Sequence, residues 1–262
     1  MNRIDLTFKR LRQQKRKAFI AFITAGDPNL KATHDLVLAL EKAGADIIEL
    51  GVPFSDPMAD GSTIQASSMR ALAKGTSLNK VLNLVKQLRL KTQVPLCLMT
   101  YYNIIFTHGE ERFVKDAIAC GVDGIIIPDL PVSEAAGLRK QASKAGLATI
   151  FFIAPTTSNE RIKPIASASS GFIYYVSLTG VTGAREALPA SVGADIRRIK
   201  KLTNKPVCVG FGISNKPQVK AMSKLADGVI VGSAIVKEIQ KHSKDKNLAA
   251  HVAGFVKSLC KS

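Results

Sequence analysis

Ala119-Cys120-Gly121-Val122-Asp123-Gly124-Ile125-Ile126-Ile127-Pro128 is the stretch from which the fold can be read. A helical pattern stops at Gly121, since glycine adopts the left-handed conformation of a helix end with little steric penalty. An apolar run follows almost at once, and it shows no alternation of apolar and polar residues. A strand wet on one face alternates; a parallel strand covered on both faces reads as a continuous apolar run. Ile125-Ile126-Ile127 therefore predicts a strand packed between a core and a layer of helices.

Moving outward, the same helix-to-strand junction recurs in Lys42-Ala43-Gly44-Ala45-Asp46 and Lys144-Ala145-Gly146-Leu147. Short β-branched runs number eight: Ala18–Thr24, Asp46–Leu50, Pro95–Thr100, Gly124–Pro128, Ala148–Ile153, Phe172–Val176, Pro206–Gly210 and Gly228–Val231. Stretches of helical period lie between them at Lys31–Ala43, Ser62–Ala73, Ser77–Leu90, Glu110–Ala119, Ser133–Ala145, Asn159–Ala168, Leu188–Lys201 and Lys216–Lys224, with Ile235–Ile239 and Leu248–Leu259 closing the chain. Eight strands in strict alternation with helices predict an α/β fold, a single (β/α)8 TIM barrel spanning 1–262. Arg3 to Lys17 reads as an extra N-terminal helix, with Leu6, Phe8 and Leu11 placed to plug the lower end of the barrel.

Composition narrows the partners. The 262 residues are 46% hydrophobic, yet no apolar run approaches the roughly 20 residues that cross a bilayer. The start, Met1-Asn2-Arg3-Ile4-Asp5, lacks a signal-peptide pattern, so a cytoplasmic location and no membrane association are expected. Four cysteines, without CxxC or Cys/His metal spacing, indicate neither disulfide nor zinc. The net charge of +17 would suit nucleic acid, but the basic residues are dispersed over helical segments such as Lys80 to Lys91, with no aromatic RNA-binding signature. A solvated basic surface that steers a phosphorylated substrate or an acidic partner protein is expected instead.

In such a barrel the chemistry sits at the carboxyl ends of the strands. Glu49 ends the run Asp46-Ile47-Ile48-Glu49-Leu50, and it either points into the barrel mouth or merely ends the strand in solvent. In the mouth, burial would raise its pKa toward the working pH, which suits a group that both donates and accepts protons. The following loop, Gly51-Val52-Pro53-Phe54-Ser55-Asp56-Pro57-Met58-Ala59-Asp60-Gly61, is long and stiffened by two prolines, and it delivers a second carboxylate, Asp60. Asp60 could equally be a helix-start residue. Glycine loops follow the last three strands: Thr179-Gly180-Val181-Thr182-Gly183-Ala184, Gly210-Phe211-Gly212-Ile213-Ser214 and Gly232-Ser233-Ala234. Barrels commonly hold phosphate there, on main-chain amides that only glycine lets a ligand approach and on a helix N-terminus.

These residues carry a resemblance. From Phe22-Ile23-Thr24-Ala25-Gly26-Asp27-Pro28 to Gly232-Ser233-Ala234-Ile235-Val236 the chain resembles the tryptophan synthase α subunit family, most specifically over Glu49 to Gly61. Met99-Thr100-Tyr101-Tyr102-Asn103, Pro128-Asp129-Leu130-Pro131, Gly180-Val181-Thr182-Gly183 and Gly210-Phe211-Gly212-Ile213-Ser214 are supporting matches. The resemblance implies a lyase that splits indole-3-glycerol phosphate by retro-aldol cleavage, with Glu49 and Asp60 as catalytic carboxylates. It implies a phosphate site from Gly183, Gly212, Gly232 and Ser233, and an indole pocket touching Phe22, Leu98 or Thr100, Ile127, Ile153, Tyr174 and Thr182. It further implies an α2β2 assembly with a β subunit that uses pyridoxal phosphate, this subunit needing no cofactor. Leu178-Thr179 departs from members that carry a basic residue before the glycine loop. His34, His108, His242 and His251 fall outside the matched positions. The rivals are a stand-alone lyase, a non-catalytic barrel that activates a partner, and a different phosphate-binding barrel such as a phosphoribosyl isomerase.

Overall fold

The computed structural model describes residues 2–176, 191–210 and 212–260. In chain order the elements are α1 (Arg3–Gln13), β1 (Ala18–Thr24), α2 (Leu30–Ala43), β2 (Ile47–Gly51), α3 (Ser62–Ala73), α4 (Leu78–Leu88), β3 (Leu96–Met99), α5 (Tyr102–His108), α6 (Glu110–Cys120), β4 (Gly124–Ile126), α7 (Ala136–Ala145), β5 (Ala148–Ile150), β6 (Phe152–Ile153), α8 (Asn159–Ala168), β7 (Ile173–Val176), α9 (Ser191–Leu202), β8 (Val207–Gly210), α10 (Lys216–Ser223), β9 (Gly228–Val231), α11 (Ser233–Lys241) and α12 (Leu248–Cys260). Every strand pair is parallel, in the order β5-β4-β3-β2-β1-β9-β8-β7-β6. The expected run Ala148–Ile153 is one stave that changes partner: β5 pairs with β4, β6 pairs with β7, and the Tyr174 N–H to Phe151 carbonyl bond carries the ladder between them. Nine ladder segments thus make eight staves, and the sheet closes into a barrel.

Alternation along each stave builds two cores. Inside the barrel lie Ala18, Ile20, Ile47, Cys97, Ile126, Ile150, Phe172, Tyr174, Cys208 and Ile230. Outside, under the helices, lie Phe19, Ala21, Ile48, Leu98, Ile125, Ile127, Ile153, Tyr175 and Val209. The lower end is closed by α1, whose start is capped reciprocally by Asn2 and Asp5. Ile4, Phe8 and Leu11, spaced i, i+4, i+7, enter the inner core, and Gly124 and Gly171 leave room for the Ile4 methyls. Leu6 was expected in this plug; at 50% exposure it points to solvent, because it lies on the opposite helical face from Ile4 and Phe8.

The glycine junctions are the expected left-handed helix ends, with φ of +112° at Gly44, +90° at Gly121 and +78° at Gly146. Beyond them a second repeat appears. Asp46, Asp123 and Asp227 precede β2, β4 and β9, and each accepts a backbone N–H from a neighbouring stave, from Phe19, Leu96 and Val207 respectively. Arg10 and Arg16, Arg3 and Arg89, and Lys17 and Lys200 pair with these three acids. Part of the positive charge is therefore structural and sits at the bottom of the barrel, away from the strand ends that carry the site. Among the described residues no helix is long and apolar enough to cross a membrane.

Candidate active site

Glu49 lies on the inward side of β2, level with Phe22 of β1 and Cys97 of β3. It is fully buried, and neither carboxyl oxygen has a hydrogen-bond partner among the described residues. An ion there would forfeit its hydration without compensation, so burial pushes the pKa up to about 8. The alternative of a solvent-facing strand end is excluded by this placement.

Asp60 is held differently. The helix-start role falls to Gly61, which caps α3 with no side-chain bond, while the Asp60 carboxylate accepts the Tyr101 hydroxyl at 3.1 Å. That same hydroxyl oxygen accepts the Ala59 N–H at 3.0 Å, and the Tyr101 ring stacks on Phe54 with centroids 5.1 Å apart. One tyrosine after β3 thereby anchors both ends of the loop after β2. Burial lifts Asp60 to about 6, and the Tyr101 hydrogen bond restrains the rise. Tyr101 stood in the sequence only as part of a motif; its position directly after a strand end was the signal for a functional role.

A cavity of about 520 Å³ lies at the strand ends, with Asp60 in its wall and Glu49 buried beside the lining residue Phe22. Asp60, Phe22, Met99 and Tyr174 line it together with Gly212, Gly232 and Ser233, and Gly232 lies against the Phe22 side chain. Glu49 is level with Phe22 of this lining; burial first, then the fields of Glu49 and Asp60 among others, raises the Tyr174 hydroxyl's pKa. The aromatic floor depends on missing side chains. A Cβ on Gly210 would come within 2.5 Å of the Tyr174 hydroxyl, and one on Gly51 within 2.6 Å of the Phe22 ring. In the same lining Gly212 adopts φ +72°, a conformation that L side chains disfavour. Gly232 caps α11, whose first residues Ser233 and Ala234 open onto the cavity, so the positive end of that helix faces the space. The volume suits a compact, partly apolar ligand with an anionic end.

Four residues expected at the pocket lie elsewhere. Ile127 and Ile153 belong to the outer core beneath the helices, and Thr100, although buried, does not line the cavity. On each of these staves the inward position is the preceding residue: Met99, Ile126 and Phe152. A shift of one residue along a strand exchanges the two faces. Leu98, the other expectation for β3, is likewise in the outer core. Thr182 and Gly183, with Leu178 and Thr179, lie outside the described residues. Lys237 and Glu238 of α11 and Phe255 of α12 complete the lining and were not anticipated.

Comparisons with known proteins agree on one family. The family described as "Tryptophan synthase alpha chain" matches residues 8–260. The tryptophan synthase alpha chain of Geotalea daltonii is 54% identical over 259 residues, covering 99% of this chain and 98% of that one. That of Thermoanaerobacter sp. is 48% identical over the same length, covering 99% and 98%. Among solved structures, tryptophan synthase subunit alpha from Legionella pneumophila superposes with a TM-score of 0.92 at 39% identity, covering 99% and 97% of the two chains. A chain of the tryptophan synthase α2β2 complex from Pyrococcus furiosus gives 0.87 at 43% identity, covering 93% and 98%.

Proposed function

The chain belongs to the tryptophan synthase alpha chain family, and from that premise we propose how its two buried acids divide the work. The chain is a lyase of tryptophan biosynthesis that cleaves indole-3-glycerol phosphate. Cleavage replaces the bond between indole C3 and a hydroxyl-bearing carbon by a C3–H bond, and it releases glyceraldehyde 3-phosphate. Glu49 is the proton carrier. Its carboxyl donates to C3, which leaves a positively charged indolenine, and Asp60 stabilises that charge by accepting the ring N–H. Glu49, now ionised, takes the side-chain hydroxyl proton; the carbonyl forms, and the electrons of the broken C–C bond return to the ring. One carboxyl is regenerated per turnover, and the proton transfers use no group beyond the two acids and the substrate.

The observation that carries this reading is the different setting of the two acids: Glu49 is fully buried with no hydrogen-bond partner among the described residues, which pushes it up to about 8, whereas Asp60 accepts the Tyr101 hydroxyl and is raised by burial only to about 6. At neutral pH Glu49 is mainly protonated and Asp60 mainly ionised, which is the pairing the first step requires. The test is the pH profile of kcat/KM in the purified chain. The expected curve rises as Asp60 ionises near 6 and falls as Glu49 loses its proton near 8. A profile flat from pH 5 to 9 would remove this assignment.

Gly212, Gly232, Ser233 and the start of α11, together with Thr182 and Gly183, are proposed to hold the phosphate and indole ends, with Phe22 and Tyr174 against the ring. Remote binding energy of this kind orients the reacting end. Inorganic phosphate and glycerol phosphate should therefore compete with the substrate. Ser233→Asp sets a like charge against the phosphate and is expected to raise KM at least about tenfold with a smaller effect on kcat, as read by initial-rate kinetics.

An α2β2 assembly with a β subunit holding pyridoxal phosphate is part of the same reading, as is a cytoplasmic location. The Asp60 loop supports it by presenting Met58 at 86% exposure beside the cavity. Indole release titrated with purified β subunit is the measurement. Activation that saturates near one β per α supports the assembly, whereas undiminished activity of the isolated chain with no response favours the stand-alone lyase.

A further inference from the structure

We propose that His242, Asp245 and His251 form a binding site for a divalent transition metal ion, with Glu238 as fourth donor, at the junction of α11 and α12. His242 directly follows α11 and His251 lies in the first turn of α12. The turn between them is closed by the Asp245 N–H to His242 carbonyl and Leu248 N–H to Asp245 carbonyl bonds, at 2.9 and 3.2 Å. This brings the two imidazoles face to face, with centroids 4.2 Å apart and planes within 10°. Each Nε2 meets a carboxylate oxygen at 3.0 Å, His242 that of Glu238 and His251 that of Asp245.

Donor atoms of His242, Asp245 and His251 all lie within 4.8 Å of one another. A tetrahedral zinc ion with bonds of about 2.0–2.1 Å separates its ligand atoms by about 3.4 Å and lies in the plane of each imidazole, so the donors draw together by on the order of 1 Å and one of the stacked rings turns out of parallel. His251 and Asp245 are exposed enough to make these movements. Asp245 is also preset: its Oδ1 accepts the Asn247 N–H at 2.8 Å, which leaves Oδ2 for the ion. Glu238 joins by exchanging its 3.7 Å contact with Lys241. Two imidazoles and two carboxylates select zinc, cobalt, nickel or copper over magnesium and calcium, which prefer all-oxygen shells. The negative end of the α11 dipole adds attraction for a cation.

The consequence is a clamp. Helix α11 begins at the glycine and serine of the cavity wall, and Glu238 and Phe255 bring α11 and α12 to the same mouth. An ion shared by His242 and His251 ties these two elements together without touching Glu49 or Asp60, so the lyase assignment stands or falls separately. The experiment uses the untagged, metal-stripped chain, titrated with Zn²⁺ by calorimetry and with Co²⁺ by visible absorption. One equivalent of Zn²⁺ is expected, with a rise in Tm that EDTA reverses and a Co²⁺ spectrum of four-coordinate type. His251→Gln and Asp245→Asn, both at exposed positions, should each weaken Zn²⁺ binding about tenfold or more. His34→Gln and His108→Gln, which alter the only other histidines, should leave it unchanged. No Zn²⁺ binding by the parent chain, undiminished binding in both His251→Gln and Asp245→Asn, or Mg²⁺ binding as tight as Zn²⁺ would each overturn the proposal.

Discussion

Glu49→Gln is expected to lower kcat for indole release by about 10²–10⁴-fold or more while KM stays within a few-fold. The amide keeps the shape of the carboxyl and can neither give a proton to C3 nor take one from the hydroxyl. Both proton movements are lost in one substitution, which is why this effect should be the largest of any single change in the chain. A variant retaining a tenth of the parental kcat would end the assignment of Glu49. The same substitution should stabilise the fold. Glu49 titrates near 8 in the folded chain and near 4.5 when unfolded, so folding favours its neutral form. The sign follows: the stability of the neutral acid is fully present below 4.5 and is lost progressively as pH rises through the folded value near 8. Parent and variant should therefore differ little in Tm at pH 4.5 and diverge by pH 8, the amide being more stable by a few kcal/mol. Thermal melts across that range are the check. A more stable, nearly inactive variant is the signature of an acid buried for chemistry at the expense of folding.

Asp60→Asn is expected to cost about 10²–10³ in kcat, because the charge that develops on the ring then faces a neutral amide instead of a carboxylate. A second readout separates this from simple loop damage. The acidic limb of the pH profile belongs to Asp60, so it should vanish in Asp60→Asn while the limb near 8 remains. Tyr101→Phe tests the anchor: it removes the donor to Asp60 and the acceptor of the Ala59 N–H. A loss of about tenfold is expected, with the acidic limb moved to higher pH, since the hydrogen bond that restrains Asp60 is gone. Unchanged limb positions in both variants would mean that Asp60 does not set the profile.

Much of this molecule can be read from its residues before any folding is known. Glycines at positions 44, 121 and 146 end helices because their left-handed conformations exclude most other residues, and a run such as Ile125-Ile126-Ile127 announces a strand covered on both sides. A lone glutamate in such a strand and a long proline-stiffened loop ending in Asp60 mark the end of the barrel where chemistry belongs. The short helix α5 was missed because its seven residues are too few to show a period.

Other features were fixed only by closure of the barrel. Ile125-Ile126-Ile127 and Ile150-Phe151-Phe152-Ile153 are apolar at every position, so hydrophobicity cannot say which residues face inward. Composition gives the strand and withholds its parity. Only pairing each stave to its neighbours, Glu49 against Phe22 and Cys97, or Tyr174 against Phe152 and Cys208, turns Met99, Ile126 and Phe152 inward and sends Ile127 and Ile153 under the helices. Contacts between distant segments are equally silent in the chain, as with Tyr101 on Asp60 or His251 beside His242. Local sequence determines which elements form, because dihedral preference and burial act over a few residues. Tertiary structure determines which atoms meet, because only closure of the whole ring gives each strand its register.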